Sequence, residues 1–171
     1  MNLTKKDRLL LINQYKILAA LKKDEEDHYL ELISVLEHGY AIFYSMIDEW
    51  VSDDMSEEDG RFVLNILDLY RAIENVKRSS KDEALLKHPY SFFRGFDGNN
   101  ETQHMAFARF VIETQGKFQE QRPYFLKNDN LNSHMPMVPK YEQMLAAAKR
   151  HPSIWHMSAT DAIALLNADA Q

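Results

Sequence analysis

Arg94 and Asp97 are the residues best suited by type to chemistry in this chain. They stand in the stretch HPYSFFRGFDGNN, residues 88–100, beside Tyr90, Phe92, Phe93 and Phe96. A guanidinium binds anions in a fixed fork geometry and aromatic faces stack on planar ligands. Arg94, Asp97, Phe93 and Phe96 therefore form a candidate ligand-binding set at the Phe92–Gly98 loop, with Lys16, Glu101 and His104 as neighbours to test. The competing reading is structural. Gly95 and Gly98 predict turns with positive φ, Arg94 and Asp97 pair locally, and the aromatics plug a junction between two helical halves. All 5 prolines lie at or beyond Pro89, so the segment divides an uninterrupted half from a broken one. It is the expected point of any subdivision within a single domain spanning 1–171.

Two E-x-x-H pairs, Glu25/His28 and Glu101/His104, each place a carboxylate and an imidazole on one helical face, a spacing used in di-iron bundles. Such a centre also needs a carboxylate from each of two other helices. Asp68 and Glu74 lie off the clear apolar seam of the long helix, and the first helix has no carboxylate after Asp7. Both pairs fall in first turns, where the helix dipole already favours glutamate. No metal site is expected. The chain has no cysteine, hence no thiol nucleophile. It also lacks a Gly-rich phosphate loop, a G-x-S-x-G elbow and an H-E-x-x-H motif. No catalytic residue and no cofactor is assigned, and the balance leans away from an enzyme.

Charge narrows the partners. Seven acids and no base lie between Asp48 and Asp59, while the remaining residues carry 19 acids and 20 bases, so this segment accounts for the net charge of −6. No reading frame gives it the ligand spacing of a calcium loop, and it reads as a solvated acidic face. Nucleic acid requires a positive footprint. That would exist only if folding gathered Arg71, Lys77, Arg78, Lys81 and Lys87. A helix-turn-helix around Gly39 fails because YAIFYSMIDEW contains no lysine or arginine. The N-terminus is not a signal peptide, and the longest uncharged stretches reach about half a bilayer span. No membrane association is expected, and the compartment expected is cytoplasmic.

The elements that must position these residues are helical. Thr4 with Asp7 predicts a cap for a helix running to about Lys22. Leu9 to Ile12 point around its whole circumference, so it should be covered on several sides, with Asn13 and Gln14 interrupting the apolar surface. Asp24 is the expected cap of a second helix that ends at Gly39. A third should follow from Tyr40 to about Trp50. Ser56 with Asp59 should cap the longest helix, Glu57 to about Arg78. In it Phe62, Ile66, Leu69, Ile73 and Val76 repeat at 4, 3, 4, 3, beside a second stripe of Val63, Leu67 and Tyr70. Two stripes mean either a central position or packing against another subunit.

Ser80 with Glu83 predicts a cap for a short helix stopped by Pro89. Asn100 with Gln103 should open another, extending to about Phe118, and residues 119–138 form an irregular connection. Pro139 opens a helix to about Lys149, and Ser158 with Asp161 caps the last. The class is all-α: a multihelical bundle with a helix hairpin, about seven or eight helices and no sheet.

N-Q-Y-K (Asn13 to Lys16), H-G-Y around Gly39, G-F-D (Gly95 to Asp97), P-K-Y-E-Q-M-L (Pro139 to Leu145) and H-M-S-A-T-D-A-I (His156 to Ile163) give the chain its resemblance, in their order and spacing, to the YfbU family of bacterial proteins. The resemblance covers nearly the whole length. It implies an all-helical fold containing a helix hairpin, and self-association through helix–helix packing. It supplies no catalytic residues, cofactor or substrate. The expectation is a cytosolic, homo-oligomeric binding or regulatory protein. A ligand site or enzyme at the Phe92–Gly98 loop is the alternative, and a nucleic-acid-associated regulator comes third.

Overall fold

The structure is a computed structural model that describes residues 2–125 and 127–168. Among these residues there are eight α-helices joined by 3-10 and π turns, and no strand; a single parallel bridge links Phe96 to Asn132. The all-α expectation holds. No helix among the described residues is long and apolar enough to cross a membrane. The chain forms two compact units, Met1–Asp54 and Met55–Gln171. The division therefore falls at the acidic segment. Residues 88–100 are no boundary, because Phe93 and Phe96 lie in the core of the second unit.

In the first unit α1 (Lys5–Leu21) opens on a capping box. The Thr4 hydroxyl accepts the Asp7 N–H at 3.2 Å, and the Asp7 carboxylate accepts the Thr4 N–H at 2.9 Å. Asp24 does not cap the next helix. Residues 23–25 instead make a 3-10 turn; its Glu25 pairs with Lys22, and Glu26, the first residue of the next helix, pairs with Lys23. The helix α2 (Glu26–His38) then ends at Gly39 as expected, and that glycine is left-handed. Arg8 crosses from α1 to donate to the Leu36 carbonyl at 2.8 Å, satisfying an acceptor in the last turn of α2.

The two helices form a hairpin around Ile12, Leu32, Ile33, Val35 and Leu36, with Tyr15 stacked on Tyr29. The long helix expected from Tyr40 is only a 3-10 turn (Ala41–Phe43) and α3 (Ser45–Asp48). Ile42, Phe43 and Trp50 are exposed, so a longer helix would lack a buried stripe to hold it.

In the second unit α4 (Glu57–Ser80) is the axis. Ile66, Leu67, Leu69, Tyr70 and Ile73 are fully buried. Both stripes therefore face the core, and the central position explains them without a second subunit. Ser80 does not cap α5 (Glu83–Lys87): its hydroxyl donates back to the Val76 carbonyl, and Asp82 takes the role by accepting from the Leu85 N–H. After α6 (Thr102–Arg109) the chain widens into a π turn, Phe110–Thr114. It stops short of Phe118 because Gly116 and Phe118 both adopt positive φ. Phe118 lies under the Arg71 guanidinium, 4.1 Å away. The remaining helices are α7 (Val138–Arg150) and α8 (Ala159–Leu166), the latter opened by the Ser158–Asp161 capping box.

Candidate functional site

The aromatic loop is closed. Phe93 and Phe96 have no exposed surface and pack edge-to-face, 5.7 Å apart, with Tyr141 against both and Tyr70 against Phe93 and Tyr141. The Tyr141 hydroxyl donates to the Gly95 carbonyl at 3.0 Å. Burial pushes the hydroxyls of Tyr70 and Tyr141 well above their ordinary values. These rings fill the core of the second unit and leave no face for a planar ligand.

Arg94 and Asp97 do not pair. Arg94 donates to the Pro89 carbonyl and lies 5.4 Å from the Phe92 ring centre. The buried Asp97 carboxylate accepts from the Asn100 side-chain amide and from the Asn99 N–H at 3.1 Å. Those bonds, the Asn100 one first, hold its carboxyl below the ordinary aspartate value. Asn100 is thus tied to Asp97 and leaves the start of α6 without a side-chain cap. Of the two glycines only Gly95 has positive φ. At Gly98 the space is tight instead: its N–H donates to Asn132 Oδ1 at 3.0 Å, and a Cβ there would lie 3.1 Å from that side chain, which would have to shift.

The carboxylates of both E-x-x-H pairs are engaged in hydrogen bonds. The Glu25 carboxylate accepts from Lys22 and from the Tyr29 hydroxyl. Glu101 is buried and accepts the backbone N–H of Asp97 (2.9 Å), Met137 (2.8 and 3.0 Å) and Val138 (2.8 Å). It thereby caps α7 from 36 residues away and pins the aromatic loop to that helix. His104 Nε2 lies 3.3 Å from Asp59 Oδ1. No group of three or more His, Asp or Glu side chains among the described residues is arranged to hold a metal ion.

A buried ion pair escaped the sequence reading. Lys77 Nζ donates to Glu74 Oε1 (2.6 Å), the Ser91 carbonyl (3.0 Å) and the Tyr124 hydroxyl (2.9 Å), and Tyr124 in turn lies 2.8 Å from Glu74 Oε1. Phe92 stacks on Tyr124 and closes the cluster. The available signal was the i, i+3 Glu–Lys spacing beside two apolar positions of the packing stripe, Ile73 and Val76. Lys77 is thus removed from any basic patch; Arg71 pairs with Glu120 and Lys87 with Glu83. Lys16 lies in the first unit and pairs with Glu37.

Two of the open surfaces among the described residues bear on function. One is a cleft of about 730 Å³ in the second unit, with Phe62, Leu69, Leu145, Ile154 and Trp155 as apolar lining and Glu57, Glu58, Arg61, Asn65, Asp68 and Lys149 as polar lining. Burial pushes the Asp68 carboxyl above its ordinary value, with Arg71 pulling the other way. The other is the outside of the first unit. Ten of the fourteen large apolar side chains exposed among the described residues belong to it: Leu9, Leu10, Ile17, Leu21, Leu30, Tyr40, Ile42, Phe43, Trp50 and Val51.

Fold and surfaces together define an all-helical protein of two compact units, one closed around an aromatic core and the other a hairpin that leaves much of its apolar surface outside. The chain belongs to the YfbU domain family, whose model matches residues 1–168. It is 48% identical over 145 residues to the UPF0304 protein MJECS11 of Methanocaldococcus jannaschii, an alignment covering 84% of this chain and 85% of that relative. Neither name states an activity.

Proposed function

We propose that this is a cytoplasmic, self-associating helical protein that acts by binding. The observation that carries the reading is the concentration of exposed apolar side chains on the first unit. An apolar face of this kind marks an interaction surface, because leaving it in water forgoes the stabilisation that burial gives. Support no longer comes from the double stripe of α4, which is used within the second unit. Sedimentation velocity across the micromolar range tests the reading. A mass above one chain that rises with concentration is expected, and a strict monomer at tens of micromolar overturns it.

A second reading rests on the cleft rather than the Phe92–Gly98 loop. A partly desolvated carboxylate at Asp68 and the half-exposed indole of Trp155 suit a compact ligand with an apolar body and a cationic head. Titration with an aromatic amine, read by Trp155 fluorescence in a Trp50→Phe background, tests it. A response abolished by Asp68→Asn supports the site, and no response at millimolar amine removes it.

A further inference from the structure

The α1 helix carries two seams. One faces α2 through Ile12 and Ala19, which are buried. The other, Leu10, Gln14, Ile17 and Leu21, follows the 4, 3, 4 spacing of a helix-packing stripe and faces outward. Leu10 is 55%, Ile17 60% and Leu21 75% exposed. From this we infer that the outer seam of α1 is a two-fold interface with the same helix of a second copy of the chain, centred on Gln14. The inference rests on the self-association proposed above and names its site.

Charge and hydrogen bonding select a second copy as the occupant. The only charged residue between Arg8 and Lys22 is Lys16. It lies off the seam and turns to Glu37, 3.2 Å away. The seam itself carries no charge, so two copies meet without repulsion. A side-chain amide offers both donors and an acceptor. Gln14 is therefore its own complement across a two-fold axis, and a single polar residue in an apolar seam fixes register at that point. A lipid surface fits less well. The charges of Lys5, Lys6, Lys22 and Lys23 lie at the helix ends, while Gln14 and Asn13 would enter the acyl layer mid-face with no partner.

Three variants test the inference in the full-length chain. Leu10→Glu with Ile17→Glu places charge on the seam, Trp50→Glu places charge on another exposed apolar position, and Gln14→Cys introduces the only cysteine in a cysteine-free chain. Far-UV circular dichroism confirms that each keeps its helices. The seam variant is expected to weaken association by about a hundredfold or more, with Trp50→Glu near wild type. Gln14→Cys is expected to form a disulfide-linked dimer on mild oxidation, since the axis brings the two positions within bridging distance. Oligomers that survive the seam charges, or a Gln14→Cys chain that stays uncrosslinked, overturn this interface and leave self-association standing. A monomeric wild type overturns both, and so does a monomer whose Trp50 emission, isolated by Trp155→Phe, shifts blue on anionic vesicles.

Discussion

Glu101 shows why a residue chosen for chemistry can turn out to be architectural. Its carboxylate, itself buried, gathers the N–H groups of the buried Asp97 and Met137 and of the half-buried Val138. Glu101→Ala strands those donors and should lower stability by about 3 kcal/mol, with Glu101→Gln costing less because one acceptor oxygen remains. Urea unfolding of the two variants checks this. Lys77→Met leaves Glu74 buried and unpaired, and about 3–5 kcal/mol should be lost; adding Glu74→Leu should restore much of it, since an apolar pair needs no desolvation. Asp97 gives a pH signature. Its folded-state pKa is depressed, so the stability it contributes is present above the ordinary aspartate value of about 3.9 and is lost as pH falls through the lower folded value. The wild type should therefore lose stability on acidification more steeply than Asp97→Asn, measured by denaturant titrations from neutral pH down to pH 3 or so. Asp7 and Asp161 are depressed in the same direction but contribute equally to both proteins.

At the scale of elements, the helices were legible where local chemistry alone decides. Thr4–Asp7, Ser56–Asp59 and Ser158–Asp161 cap as their spacing implies, and the periodic run of α4 is helical throughout. Misread starts came from competition that only the fold reveals. Ser80 bonds backward into α4 and Asn100 is held by Asp97, so neither is free to cap. The residues of the Phe92–Gly98 loop stood out in the sequence, but their partners did not. Arg94 and Asp97 are three apart, yet one joins Pro89 and the other Asn99 and Asn100. Glu101 finds its main acceptor role 36 residues away, beyond any local pattern. Gly95 joins the two scales. Its φ is +79°, and a Cβ there would lie 2.0 Å from the Leu131 carbonyl oxygen, the same oxygen that accepts the Phe96 N–H at 3.0 Å. Gly116 is also left-handed, at +66°, but a Cβ there meets nothing within 4 Å. Gly95→Ala should cost about 3 kcal/mol or more and Gly116→Ala about 1 kcal/mol, a contrast read from paired thermal melts.

At the scale of the whole molecule, the two units differ in how much of their apolar content they bury. The second holds a cluster from Val63 to Leu166 around α4, including the ring group of Tyr70, Phe93, Phe96 and Tyr141. The first has seven buried apolar residues in its cluster, Ile12, Leu32, Ile33, Val35, Leu36, Tyr44 and Ile47, and leaves ten large apolar side chains outside. A small unit with a thin core has little surplus over the entropy of ordering its chain. Helix α4, by contrast, starts at a cap on Ser56 inside the acidic segment, so a chain beginning at Met55 loses no element of the second unit. A fragment of residues 55–171 should therefore unfold in one cooperative transition on heating. A fragment of residues 1–54 should gain helix as its concentration rises, because association supplies the burial that the hairpin lacks. Circular dichroism over a hundredfold dilution of each fragment, an interval of about 2.7 kcal/mol in association free energy, separates the two behaviours. If the small fragment's helix content does not depend on concentration, its exposed apolar face is not what stabilises it, and the assembly proposed above would have to be sought elsewhere on the molecule.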